Sequence, residues 1–223
     1  MKRVHLHSEG DYRRAAVALA KFAVNGDSGR VSGDPVHEWV TEGRRTQYER
    51  ALANGAAWAQ RMRAGYSSCG DLAHWLLMCL GCRYELVVNR GDDGGVKGWA
   101  IGANIGRLAW SSWYEHASEN GLPIEGDILH VAPPDHVSVL IDASDPDSWA
   151  TADYGQPHGR MRECPLRDVS QGLLVRGRKL EGWVSIGRMV KLGALIADAI
   201  VPDDFDGDEC DNPYVDVEIP EGI

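Results

Sequence analysis

The sequence predicts an α+β protein with a helical N-terminal third. Apolar residues recur at helical spacing from Asp11 to Val24, and the stretch from about Arg44 to Arg63 is rich in helix-forming residues. From Tyr84 onward, short runs rich in Val, Ile and Trp alternate with Gly, Asp and Pro, a pattern typical of strands. Several runs are joined by loops too short for a crossover helix, so we expect antiparallel pairing.

Six short segments have the composition of strands. They are Tyr84–Asn89, Gly98–Ala103, Asp127–Val131, His136–Ile141, Trp149–Tyr154 and Gly182–Ile186. One helix, from about Ser111 to Glu119, is expected to interrupt them. The apolar stretch from Met189 to Val201 is expected to form a last helix or a strand-like closure, and periodicity does not decide between these two.

The length of 223 residues predicts one domain over positions 1–201, in which about 1–64 form a helical extension. Positions 202–223 form an acidic tail that holds nine Asp and Glu residues and no Lys or Arg. This tail accounts for most of the formal net charge of −10, so the rest of the chain is nearly neutral. A solvated tail is the simplest interpretation, and docking of the tail on a basic protein partner is a further hypothesis.

Charge and composition exclude several classes of protein. No basic stripe with interleaved aromatic residues occurs, so we expect no nucleic-acid partner. The longest apolar stretches fall far short of the ~20 residues that a membrane span needs. The N-terminus has no apolar segment behind its first charges, so we expect synthesis in the cytoplasm without a signal peptide. The five cysteines are expected to be reduced thiols, and no metal or cofactor is expected.

The segment from Gly65 to Gly81 carries the most informative cysteine. Ser67 or Ser68 is a good N-cap, and an apolar stripe follows, so a helix should begin near Cys69. The free amides and the dipole at a helix N-terminus favour a thiolate, which is the form that a nucleophilic cysteine requires. A structural role, as a small buried residue of the core, is an equally common explanation for a cysteine at such a position.

A histidine and an aspartate on neighbouring predicted strands favour the catalytic interpretation. His136 opens one strand after a Pro-Pro-Asp turn, and Asp153 lies within the next strand, where aspartate is disfavoured unless it has a specific role. Orienting an imidazole is one such role, so Asp153 is expected beside His136. Gln156 is a neutral candidate for the same position, and His130 is a reserve for His136.

This order of motifs resembles the NlpC/P60 and CHAP groups of papain-like cysteine peptidases and amidases. The matching motifs are Ser68-Cys69-Gly70-Asp71, Gly126-Asp127-Ile128, His136-Val137-Ser138-Val139 and the single residue Asp153. The resemblance implies a papain-like core, in which the helix bearing the cysteine packs on an antiparallel sheet. In NlpC/P60 proteins an Asp precedes the cysteine and Ser-Gly follows it, whereas this chain has Ser68 before Cys69 and Gly70-Asp71 after it.

The resemblance also implies acyl transfer by Cys69, His136 and Asp153. The backbone amide of Cys69, with Ser68 and the Tyr66 hydroxyl in support, would bind the oxyanion. The substrate expected from the resemblance is the peptide of bacterial peptidoglycan. A wall hydrolase made without a signal peptide would be a phage-like, virion-associated product or an effector delivered by a secretion machine.

Three alternatives remain open at the level of the sequence. The chain could be a non-catalytic structural or adaptor module of a virion-like assembly. It could instead be a deamidase or isopeptidase that modifies a protein. A zinc site formed by Cys69, His74, Cys79 and Cys82 would use the same cysteine for an inert purpose.

Overall fold

The computed structural model describes residues 1–25, 35–42, 45–56, 59–60, 63–64, 69–82, 113–133, 136–154, 159–170, 172–195 and 198–207. These residues contain five helices: α1 (Glu9–Asn25), α2 (Pro35–Thr41), α3 (Arg45–Ala53), α4 (Cys69–Cys79) and α5 (Ile186–Lys191). They also contain nine strands: β1 (Lys2–His5), β2 (Tyr114–His116), β3 (Ile128–Ala132), β4 (His136–Asp145), β5 (Ser148–Asp153), β6 (Arg160–Val169), β7 (Gly172–Val175), β8 (Arg178–Val184) and β9 (Asp198–Val201). None of the described helices is long and apolar enough to cross a membrane.

Six strands form a closed antiparallel barrel. The order is β8, β3, β4, β5, β6, β7, and the ring closes because β7 pairs with β8. Strand β2 pairs with the other end of β8, and β1 pairs with β9 in a separate two-stranded ribbon. Closure leaves these six strands with paired neighbours on both sides.

The alternation of side chains along the strands produces two apolar clusters. One cluster lies on the inner side of the barrel and includes Leu129, Leu140, Trp149 and Trp183. The other lies where the helices cover the outer side of β3, β4 and β5, and helix α4 packs there against β4. Because successive residues of a strand point to opposite faces, each of these strands contributes to both clusters.

The expected papain-like α+β core is wrong. The strands form a closed six-stranded barrel instead of a sheet covered by one helix. The expectation failed because it omitted β6 and β7, whose pairing with β5 and β8 closes the ring. The antiparallel pairing inferred from short loops is confirmed for these strands.

Individual elements agree with the sequence to different degrees. The helix predicted from Asp11 to Val24 is α1, and the strands expected around His136 and Trp149 are β4 and β5. The helix expected from Ser111 to Glu119 is wrong, because Tyr114–His116 is strand β2. The last apolar stretch divides into α5 and β9, so it contains both a helix and a strand. The strands expected at 84–89 and 98–103 lie outside the described residues.

A buried carboxylate joins α1 and α5 to the start of β3. Asp127 is 1% exposed, and Arg13 of α1 donates a hydrogen bond of 2.8 Å to its Oδ1. The backbone N–H of Ile186, the first residue of α5, donates to the same oxygen at 3.0 Å, and that of Ile124 donates to Oδ2 at 2.9 Å. Gly126 precedes it with φ of +91°, where a Cβ would lie 3.1 Å from the carbonyl oxygen of Arg13.

The anchoring role of Asp127 predicts a large loss of stability on truncation. Asp127→Ala removes one of the two carboxylates that pair with the mostly buried guanidinium of Arg13, leaving Glu9, and it leaves two amides without an acceptor, which should cost about 3 kcal/mol. The free energy of unfolding by urea measures this cost. Asp168→Ala, which removes an exposed carboxylate of β6, is the control and should change stability by less than about 0.5 kcal/mol. Equal stability of the two variants would contradict the anchoring role.

Candidate active site

Cys69 is the first residue of α4. Asp71 lies in the first turn of this helix, and Leu72, Leu76 and Leu77 bury its apolar side in the core. The side chain of Cys69 is only half-buried. The thiol is thus placed at a helix N-terminus, where free amides and the helix dipole favour an anion.

His136 opens β4 opposite Val131 of β3. Its side chain shares the inner face of β4 with Ser138 and Leu140, and it is 22% exposed. A residue at the start of a strand that is paired on both sides has a fixed backbone direction. The imidazole is therefore held at the rim of the barrel.

The register between β4 and β5 places Asp153 beside His136. Ser138 pairs with Asp153, so His136 and Asp153 are diagonal neighbours on the inner face. Nε2 of His136 contacts Oδ1 of Asp153, and the Thr151 hydroxyl donates to Oδ2 at 2.6 Å. Because this hydroxyl has one proton, the thiol of Cys164 donates to Thr151 Oγ1 across 3.3 Å. Both oxygens of the carboxylate are thereby engaged.

Cys69 is the second partner of His136. The Cys69 side chain raises the pKa of His136 through hydrogen bonding and charge, so the two side chains are neighbours. Nε2 of the ring faces Asp153. The imidazole consequently lies between a thiol and a carboxylate.

The surroundings of His136 raise its pKa. Burial alone lowers the pKa, but hydrogen bonds to Asp153 and Cys69 and the negative charges of both outweigh burial. The net effect raises the pKa of His136 from 6.5 to about 9. At neutral pH the ring is therefore an imidazolium, the form that stabilises a neighbouring thiolate.

The carboxyl group of Asp153 stays ionised. Burial raises its pKa, but the hydrogen bonds from His136 and Thr151 and the charges of His136 and Arg162 outweigh it, so the pKa lies below its usual range. An ionised carboxylate on Nε2 fixes the orientation of the ring. It also stabilises the imidazolium, which is the role of the third member of a catalytic triad.

The other described cysteines have inert surroundings. Burial raises the pKa of Cys79 to about 12. Burial is also the largest cause of the raised pKa of Cys164, and it outweighs the hydrogen bond to Thr151. Cys82 is buried. All four described cysteines are free thiols, as expected, but only Cys69 is hydrogen-bonded to a histidine that also holds a carboxylate.

The remaining sequence candidates fall into two groups. His130, the reserve candidate for the catalytic base, contacts the hydroxyl of Tyr114 through Nδ1 at 3.1 Å. This contact differs from the one with Asp153 that His136 makes. Tyr66, Ser68 and Gln156 lie outside the described residues. The proposed contributions of these three to oxyanion binding or ring orientation stay predictions.

The alternative zinc site does not form. Among the side chains that the structure describes, no group of three or more His, Cys, Asp or Glu residues is placed to hold a metal ion. His74 is fully buried within α4 and packs edge-on against Trp39 of α2, with ring centroids 4.9 Å apart. Cys69 instead faces His136.

Several polar residues that surround the pair of His136 and Asp153 were not predicted from the sequence. Cys164 lies beside Thr151, and arginines of β6 and of the β7–β8 turn stand next to Asp153. A signal was present for Arg160 and Arg162, because they are two residues apart and so share a strand face. The signal could not be used without the register that joins β6 to β5.

Comparisons of the chain with protein-family models, with curated proteins and with solved structures found no match. The interpretation of the site therefore depends on its own geometry and chemistry.

The site predicts selective alkylation of one cysteine. At pH 7, iodoacetamide should modify Cys69 at least about tenfold faster than Cys79 or Cys164, whose thiols are held protonated by burial. Peptide mapping by mass spectrometry over a time course measures the three rates. His136→Gln should slow the reaction of Cys69 because it removes the imidazolium. A Cys69 rate no higher than that of Cys164 would show that the nucleophile is misassigned.

Proposed function

We propose that this protein is a cysteine hydrolase of amide bonds, either an amidase or a peptidase. The observation that carries the proposal is the position of His136, which is hydrogen-bonded to both Cys69 and Asp153. Cys69 is the nucleophile, His136 transfers the proton, and Asp153 orients the imidazolium. Each of these side chains is supported by its own element, α4, β4 or β5.

Acylation uses the thiolate form of Cys69 and the imidazolium form of His136. The thiolate attacks the carbonyl carbon of the substrate amide, and the carbonyl electrons move to the oxygen. The tetrahedral intermediate collapses when His136 delivers its proton to the amide nitrogen. The C–N bond breaks, the amine leaves, and the acyl group remains on the sulfur as a thioester.

Deacylation uses the same residues in the opposite direction. The neutral imidazole takes a proton from water, and the resulting hydroxide attacks the thioester carbonyl. The C–S bond breaks, the carboxylic acid leaves, and the thiolate and imidazolium are restored. Asp153 remains ionised throughout and holds the ring through Nε2.

The peptide of bacterial peptidoglycan is the substrate that we propose. This choice is supported by the resemblance of the motifs around Cys69, Asp127 and His136 to those of NlpC/P60 and CHAP wall hydrolases. The resemblance now depends on these motifs and no longer on the fold. Delivery as a virion-associated protein or as a secreted effector belongs to the same proposal.

A catalytic role is favoured over a purely structural one by the two-sided engagement of His136. An adaptor module has no need for an imidazole that interacts with a half-buried thiol and with a carboxylate supported by the Thr151 hydroxyl. Modification of a protein, by a deamidase or isopeptidase, would use the same chemistry on another substrate.

The activity is tested on purified sacculi. The protein should release new free amino groups, and Cys69→Ala should lower the release at least about 10³-fold because no nucleophile remains. Cys79→Ala, which removes a thiol from the far end of α4, is the control and should retain activity. Absence of release by the wild-type protein, together with ammonia release from a protein target, would favour a deamidase over the wall hydrolase.

A further inference from the structure

A cavity of about 200 Å³ opens beside the pair of His136 and Asp153. Both side chains line it. The rest of the lining combines apolar residues of the barrel with polar and charged ones: Val131, Ser138, Cys164, Val175, Arg176 and Arg178. The cavity is therefore part of the same site, and its most distinctive members are the two arginines.

Two further arginines stand next to this cavity on β6. Arg160 pairs with Asp153 and Arg162 with Thr151 in the register of β5 and β6, so both lie on the face that carries Asp153. Burial lowers the pKa of Arg162, and the charges of Arg176 and Arg160 lower it further. The four guanidinium groups thus form one concentration of positive charge in a nearly neutral protein body.

The backbone of Arg176 is in an unfavourable conformation. Its φ is +51°, in the left-handed region that residues other than Gly, Asn and Asp rarely adopt. Arg176 and Gly177 form the two-residue turn between β7 and β8, and Val175 pairs with Arg178 across it. Asparagine, aspartate or glycine would suit this position better. A strained arginine at the rim of a catalytic cavity is the kind of outlier that points to function.

The charge of Asp153 acts on Arg162, but ion pairs among the described residues do not account for these arginines. In the described part of the chain, no ion pair includes Arg160, Arg162, Arg176 or Arg178. The carboxylate closest to them in the register, Asp153, already accepts from His136 and Thr151. Guanidinium groups without an ion-pair partner, beside a cavity, are suited to bind an anion from outside.

We propose that Arg176 and Arg178, supported by Arg162, form a subsite for a carboxylate of the substrate. The substrate class is a peptide that carries a free carboxylate within a few residues of the amide bond that Cys69 attacks. A planar guanidinium binds a carboxylate through two parallel hydrogen bonds, so the subsite selects charge and geometry together. This inference deepens the proposed function and rests on it.

The subsite can be probed without knowing the natural substrate. The probes are N-iodoacetyl peptide amides in which the residue one, two or three positions from the iodoacetyl group is Glu, each matched to a Gln version with Ala elsewhere. Each extended residue adds at most about 3.3–3.6 Å, so the series spans the region from the thiol to the rim of the cavity. The measured quantity is the ratio of the Glu and Gln alkylation rates at Cys69, because the ratio cancels changes in thiolate fraction.

The variants remove charge without burying a new group. Arg178→Gln keeps most of the side-chain length, and Arg176→Asn replaces the strained residue with one that tolerates a positive φ. Unfolding is then not the cause of any loss with Arg176→Asn. Arg167→Gln is the matched control, because it removes an exposed arginine of the same strand as Arg162, at odd spacing and so on the other face.

For at least one spacing, the Glu probe should react about tenfold faster than its Gln partner in the wild-type protein. The ratio should fall toward one in Arg176→Asn and Arg178→Gln and stay high in Arg167→Gln. Ratios within twofold of one at every spacing, or ratios that the two cavity variants do not change, would overturn the subsite.

The same data separate the subsite from the catalytic proposal. If Cys69 reacts with the Gln probes no faster than it does in the urea-unfolded protein, the nucleophile is wrong. A Glu preference that depends on Arg176 and Arg178 would then still support the subsite. Fast alkylation of Cys69 without any Glu preference would overturn the subsite alone.

Discussion

The register between β4 and β5 is the constraint on which the site depends. It places Asp153 diagonally opposite His136 on the inner face of the barrel, and a shift of one residue would turn one of the two side chains to the outer face. The next register, between β5 and β6, brings Cys164 and Arg162 beside Thr151 and Asp153. Three consecutive strands thus supply the site: β4 carries the imidazole of His136, β5 carries the carboxylate of Asp153, and β6 carries the positive charge of Arg162.

The helices complete this arrangement from outside the barrel. Helix α4 packs against β4, and this contact brings the thiol at its first residue to the imidazole at the start of the strand. Asp127 joins α1 and α5 to the adjacent strand β3 through three hydrogen bonds to its carboxylate, and the donor of one of them, Arg13, also pairs with it in charge. The framework around the site is therefore held by buried polar contacts as well as by apolar packing.

The sequence predicts the parts of the site that have local signals. A capped apolar stripe marks the helix of Cys69, and short runs rich in Val, Ile and Trp mark the strands of His136 and Asp153. Strand β6 begins without such a run, because Arg160 and Arg162 occupy its inner face while Met161 and Glu163 are exposed on the other. Without β6 and β7 the barrel could not be predicted, and neither could the arginines that surround Asp153.

Strand β2 shows a second limit of local patterns. Tyr114–His116 has too few residues for a recognisable alternation, and it pairs with Trp183 and its neighbours on β8 only because Gly182 leaves room. A Cβ at Gly182 would lie 2.2 Å from the carbonyl oxygen of Glu115. The pairing of β2 thus depends on a glycine that is distant in sequence. The segment from Ser111 to Glu119 alone does not show it.

The central claim is that His136 is held as an imidazolium between Cys69 and Asp153. An NMR titration of the His136 ring in the folded protein tests it most directly. The account predicts a pKa of about 9, which falls in Cys69→Ala because the hydrogen bond and the negative charge of the sulfur are lost. A pKa near 6.5 that is the same in both proteins would contradict the account.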